Sequence, residues 1–539
     1  MAISSSIEFR RPGVTVQEIP LPRDTGTVNS TQARAVIVGY LDRGPTEPVI
    51  VNSWVQFRSM FGDWSNSVLN NRTVDAVYSF FSNALAASSS LIVLRVTDAS
   101  AVAASVSAND DEDVPVFTIT AASAGAWGNN LKVAIFTTPA EVAAFQGNDF
   151  NQDFATVDVT TAGSFNIEFA LFNDLGNMVG SPERYYGLSV DLTSRQYYAS
   201  LINSTSRIVR VTPVDTTGLL PASTINGVPL ALTGGIDRTE GATSWDLQVA
   251  TALTLLDTVD VPLIIYHAST DDDGVPIDAD VADAVTYSQN RADSFTIVDT
   301  PRVPGSGTAA DVLDWVKNKV TPKSAYAAAY FPWIQVNDPQ RGPAGITKVV
   351  PPGGSVLGAF VATDSTYGPW RTPAGSQVRL RNAVAADRLL SESDLRELNS
   401  ATTPVNVIRS ISGTGVCLMG GRTLDSTNAD RYIAIRRSLS FITVNLKRIS
   451  ENALFEPNGP DLWEKLTIQM NDWLGRYYQQ GALRGDREPD AFQVVINESN
   501  NTPSTISAGE VHIEVGVAVE FPAEFVIIRL TQQQGTVRN

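Results

Sequence analysis

At 539 residues, 43% of them apolar, the chain is too long for a single core, and about three or four domains are expected. A net charge of −18 spread along the sequence speaks against nucleic-acid binding, which needs clustered Lys and Arg. Two histidines and a lone Cys417 leave little material for histidine-based metal or acid–base chemistry and none for an intrachain disulfide. No apolar run approaches the roughly 20 residues that span a bilayer, and residues 1–13 lack the apolar core of a signal peptide, so synthesis in a reducing cytoplasm is expected. Architecture rather than catalysis is expected, with no enzymatic activity, cofactor or metal.

Residues 1–30 read as an extended arm. Pro12, Gly13, Pro20, Pro22 and Gly26 surround one strand-like run, Val14, Thr15, Val16, Gln17, Glu18 and Ile19, whose β-branched alternation is not a disorder signature. Residues 31–100 read as an α/β segment. A buried strand at 35–40 closes at Asp42-Arg43-Gly44-Pro45, and a short strand follows at 49–51. Ser53 caps a helix through Trp54, Phe57 and Phe61 that stops at Gly62. A second helix at 73–87 spaces Val77, Phe80, Phe81 and Leu85 along one face, and 91–96 returns as a continuous apolar strand. The run from Pro12-Gly13-Val14 through Gly44-Pro45 and Phe61-Gly62 to Arg95-Val96 resembles the N-terminal part of contractile phage tail sheath proteins.

Residues 101–240 change character. Short alternating runs at 116–119, 131–136, 165–172 and 207–211, separated by turn residues, predict an inserted β-sandwich or barrel. Within it, Gly125-Ala126-Trp127-Gly128-Asn129-Asn130 and Leu232-Thr233-Gly234-Gly235-Ile236-Asp237 are similar to two turns of the sheath family. Residues 241–400 alternate again: helices at 245–256, 280–291 and 309–319 trade places with strands at 261–266, 295–299 and 325–332. That rhythm predicts a mostly parallel, wound α/β domain. Pro351-Pro352-Gly353-Gly354, Asp364, Gly368, Trp370 and Pro373-Ala374-Gly375 match a further run of the family.

Residues 401–520 predict an α+β C-terminal domain, with strands at 405–408 and 415–419. A helix from Asn428 to about 449 carries Tyr432, Ile435, Leu439, Ile442 and Leu446 as an apolar stripe. Arg431, Arg436, Arg437, Lys447 and Arg448 surround that stripe. Pro460 opens a second helix whose buried side holds Leu462, Trp463, Leu466, Met470, Trp473, Leu474 and Tyr477. After a strand at 492–496, Val511, Ile513, Val515, Val517 and Val519 alternate with polar or small residues, the period of a half-buried strand. Pro522 breaks it, and Phe525, Val526, Ile527, Ile528, Arg529 and Leu530 form a second β-rich run in an arm over 521–539. In order and spacing these segments resemble the sheath C-terminal domain, so the resemblance runs from residue 12 to 530.

The resemblance implies a subtilisin-like central domain, as in some relatives, and therefore raises a serine hydrolase as a distant alternative. His267 follows a buried strand near Asp271, Asp272 and Asp273, but no G-x-S-x-G nucleophile elbow accompanies it, and it is read as a strand-end surface residue. The aspartates with Asp278 and Asp280 lack the glutamate of an EF-hand loop and are read as a solvated acidic loop. Gly305-Ser306-Gly307 lacks the third glycine of a dinucleotide turn. The function the resemblance implies is that of a sheath subunit. Such subunits form hexameric rings stacked helically around a tail tube and contract to drive the tube through a host envelope. The implied partners are the chain itself, the tube protein, and baseplate and terminator proteins, with no direct contact to nucleic acid or membrane. The implied location is the virion tail, assembled in the host cytoplasm. A bacteriocin, type VI or extracellular injection machine would use the same subunit. The arm residues 14–19 and 525–530 are expected to be donated to a neighbour, 511–519 to accept, and Arg436, Arg437, Lys447 and Arg448 to face the tube.

Overall fold

The computed structural model describes residues 33–84, 90–137, 163–173, 176–214, 218–224, 229–238, 248–268, 270–271, 273–302, 308–341, 345–400, 402–425 and 429–522. An eight-stranded sheet organises them, in the order Gly415–Met419, Val405–Ile411, Ala327–Phe331, Ser294–Asp299, Leu263–His267, Arg34–Tyr40, Leu91–Val96, Val49–Val51. The six inner strands are parallel, and both edge strands pair antiparallel. The inner strands are almost wholly buried, as continuous apolar runs in a parallel sheet must be. Alternation splits each between two cores. Ala35, Ile37 and Val93 face the helices Val68–Asn83 and Gly353–Tyr367, while Val36, Val38 and Leu94 face Val249–Thr254 and Asp278–Arg291. The wound α/β arrangement expected for the middle of the chain is present. Its sheet also draws strands from 34–96 and 405–419, across the boundaries expected at 100, 240 and 400.

The Pro-Pro-Gly-Gly run opens the helix Gly353–Tyr367, which sequence periodicity did not reveal because it is apolar on every side and mostly buried. A Cβ on Gly354 would run into the Ala76 backbone, and one on Gly358 would lie 2.8 Å from the Phe80 carbonyl oxygen. Glycine at these positions lets the two helices approach backbone to backbone. The helix start is fixed by Asp299, whose carboxylate accepts from the Gly353 N–H at 2.9 Å and from the Tyr266 hydroxyl at 2.5 Å. Burial pushes the Asp299 carboxyl up to about 7.

The insertion contains two antiparallel sheets, of three and four strands, that share one hydrophobic cluster, with the unforeseen helix Tyr198–Thr205 packed on it. Its entry and exit are pinned together by the motif residues. Asn129 exchanges hydrogen bonds of 2.8 and 2.9 Å with Gly235, and Asp237 accepts from the Ala126 N–H at 2.9 Å. Buried Arg95 donates to the carbonyls of Leu41, Asp42, Gly44 and Ala124, tying the turn after the first strand to the insertion. The C-terminal part packs the helices Ile433–Glu451 and Pro460–Tyr478 against a two-stranded sheet, Phe492–Val495 with Glu514–Val517.

Candidate assembly interface

The expected acceptor strand is shorter than its alternation predicted. Nine residues alternate, but the ladder covers Glu514–Val517, because the partner Phe492–Val495 is itself four residues long. Val519 adds one isolated bridge to Leu483. The alternation nevertheless faces the helices: Val511, Ile513 and Val515 pack around Leu462, Trp463, Leu466 and Met470, and Val517 with Phe441 and Tyr477. Among the described residues no third strand joins this sheet, so each of its strands presents an outer backbone edge. An open edge of this kind is a template for strand addition. The arm residues 14–19 and 525–530 lie outside the described residues.

The basic residues expected at a tube-facing surface separate into two groups. Arg436 and Arg437 are buried, at 2% and 5% exposure, which corrects that expectation for both. Arg437 forms a two-pronged ion pair with Asp364 and lies 5.0 Å above the Phe360 ring. Arg436 donates to Asp430 at 2.9 Å and lies over Tyr326 at 4.7 Å. The physical reason is partner supply. For Arg437, the helix Ile433–Glu451 packs this side against Gly353–Tyr367, which provides the Asp364 carboxylate and the Phe360 face, while Arg436 is held by Asp430 just before the helix and by the Tyr326 ring. Burial pushes the Asp364 carboxyl up, and Arg437 opposes that shift. Lys447 and Arg448 are at the surface, Lys447 3.9 Å from Glu451 and Arg448 donating to the Asp260 carbonyl at 2.6 Å.

His267 is also corrected. It ends its strand but is buried, 4.0 Å from Asp280, and burial pushes its imidazole down to about 3. The first turn of the helix Asp278–Arg291 covers the strand end that was expected to be open. Among the described residues no cluster of three or more His, Cys, Asp or Glu side chains could hold a metal ion, and no helix is long and apolar enough to cross a membrane.

No protein-family model matches the sequence, and no curated protein matches it. Solved structures do. The sheath tail protein of Listeria innocua is similar at 13% identity, with 92% of this chain and 97% of that one covered and a TM-score of 0.58. The helical sheath of the anti-feeding prophage in its contracted state is similar at 18% identity, over 97% and 99%, with a TM-score of 0.54. The contracted sheath complex of the PVC extracellular contractile injection system gives 18% identity over 98% and 99%, with a TM-score of 0.50. This chain therefore has the fold of contractile-sheath subunits nearly end to end.

Proposed function

We propose that this chain is the structural subunit of a contractile sheath, polymerising as stacked hexameric rings around a tail tube. The observation that carries the reading is the end-to-end likeness in fold to sheath subunits of two kinds of contractile machine, at nearly complete coverage of both chains. A phage tail sheath acting at a host envelope is the preferred form. The likeness to the PVC and anti-feeding prophage sheaths favours an extracellular injection machine as the second form. Partners on this reading are further copies of the chain, the tube, the baseplate and a terminator, with assembly in the host cytoplasm. The wound central sheet would correspond to the subtilisin-like domain implied by the resemblance, serving as a rigid body without catalysis.

The mechanism follows from what contraction demands. Contacts between subunits must exchange between two arrangements, while some connection survives the exchange. The open edges of the two-stranded C-terminal sheet suit that connection, with residues 14–19 of one neighbour and 525–530 of another adding as strands. About five backbone hydrogen bonds per arm, at about 1 kcal/mol net each plus side-chain burial, would outlast weaker polar contacts. Lys447 and Arg448 are the basic residues left for the tube-facing surface.

Paired cysteines test the connection, because the chain's own Cys417 is the sole cysteine and is buried. Chains carrying both Val16→Cys and Gly516→Cys should form crosslinked dimers and ladders only under assembling conditions. Crosslinking confined within single chains would contradict strand exchange between subunits.

A further inference from the structure

Beside the edge strand Val49–Val51, Trp54, Trp64 and Tyr78 line a cavity of about 310 Å³ with Pro339 and Gln340. The rings come from the start of the helix Trp54–Phe61, the turn after it and the helix Val68–Asn83. Their centroids lie 5.2 to 5.8 Å apart. Trp64 is fixed further by donating to Asp75 at 2.6 Å and by Lys348, 4.7 Å above its ring. Arg58 and Asp63, also on the lining, pair with each other, so the site offers preset aromatic surface and no net charge. Grooves of this make-up suit uncharged proline-bearing segments, whose extended backbone is ordered before it binds.

The sequence before residue 33 holds such a segment. In Ile19-Pro20-Leu21-Pro22 the two proline rings lock φ at 20 and 22, and each restricts the residue before it, so all four favour the polyproline conformation. The other prolines outside the described residues, Pro12, Pro139, Pro304 and Pro343, stand singly. Reach selects the chain's own segment. Ala33 leads into the strand Arg34–Tyr40, where Ala35 pairs with Leu91, and Leu91 with Val51. Two strand spacings and the short runs at either end put Trp54 within about 27 Å of Ala33. The stretch from Pro22 to Ala33 can span about 36 Å, so the tether suffices. A tether of that length supplies an effective concentration in the millimolar range, enough to populate a contact that would be weak between separate molecules.

We propose that Pro20-Leu21-Pro22 seats in the chain's own Trp54–Trp64–Tyr78 pocket and anchors the root of the N-terminal arm. The docking itself stands on the pocket and the tether; its role in assembly rests on the sheath reading. In that role, residues 14–19 leave the donor subunit from a fixed point beside the pocket. Pre-placing the arm in this way lowers the ordering cost of donating it to a neighbour.

Trypsin tests the docking on the full chain, kept dilute enough to stay unassembled. The Arg23–Asp24 bond directly follows the docked residues. It should be cut at least about tenfold more slowly than the same bond in a synthetic peptide of residues 14–30. Cleavage after Arg10, outside the contact, is the internal control and should keep one rate in every variant. Trp54→Ala should return the Arg23 bond to the peptide's rate. A second measurement leaves the aromatic walls intact: a chain carrying both Leu21→Cys and Gln340→Cys should close an intrachain disulfide on mild oxidation, with Cys417 buried and out of reach. An Arg23 bond cut as fast in the chain as in the peptide, or protection that survives Trp54→Ala, would overturn the docking. A disulfide joining two chains would overturn the assignment to the chain's own pocket. Tubes without this protection would sink the docking alone, and protection without tubes would sink the sheath reading alone.

Discussion

Replacing Arg437 with alanine removes the guanidinium that neutralises Asp364 at the seam between the helices Gly353–Tyr367 and Ile433–Glu451. Both side chains of the pair are 4% exposed, so water cannot take over the missing charge without opening the seam. Stranding one member of a buried pair costs about 3–5 kcal/mol. The same principle sets a control. Arg437→Met combined with Asp364→Leu removes both charges and should return most of the loss, because apolar replacement of a buried pair is often neutral. A surface control, Lys447→Ala, should cost less than about 1 kcal/mol, as its partner Glu451 is solvent-exposed and 3.9 Å away. Hydrogen exchange read by mass spectrometry on peptides from 433–451 is the assay, since it reports local opening in a chain too large for a two-state treatment. Arg437→Ala should speed exchange there by roughly two to three and a half powers of ten. Acceleration below about tenfold, or a double variant no better than the single one, would refute the burial argument and return Arg437 to the surface.

Two further outcomes follow from the central domain. Gly354→Leu should lower stability by about 1–3 kcal/mol or more, seen as a lower melting temperature, because its side chain meets the Ala76 backbone rather than a movable side chain. Burial pushes the Asp299 carboxyl up to about 7 from the ordinary 3.8, so the folded state holds this proton more tightly. Its contribution to stability is present below about pH 4 and lost as pH rises through 7, on the order of 4 kcal/mol in all. Asp299→Asn, which keeps an acceptor for Gly353, should therefore lose less stability than the wild type between pH 4.5 and 7.5 in urea titrations. Identical pH slopes for the two proteins would contradict that account.

What sequence made legible were the elements with strong local signals. The strands Arg34–Tyr40 and Leu91–Val96 are unbroken apolar runs, and the helices Ala309–Lys319 and Pro460–Tyr478 carry caps, N-terminal proline or apolar stripes. The motif residues Asn129, Gly235 and Asp237 were visible as turns. That they fasten the insertion to itself depends on contacts over more than a hundred positions. Gly353–Tyr367 escaped because a helix buried on all sides has no stripe. Arg436 and Arg437 were misplaced because charge suggests exposure, and the Asp364, Phe360 and Tyr326 side chains that cover them come from other segments. The acceptor strand was overextended because alternation records which residues face the helices, whereas ladder length is set by the partner strand.

Electron microscopy of the purified full-length protein tests the central claim most directly. Hollow tubes of uniform diameter with a helical lattice of six-fold rings are the predicted result. A monodisperse monomer that forms no tubes at any concentration or salt would contradict the sheath account.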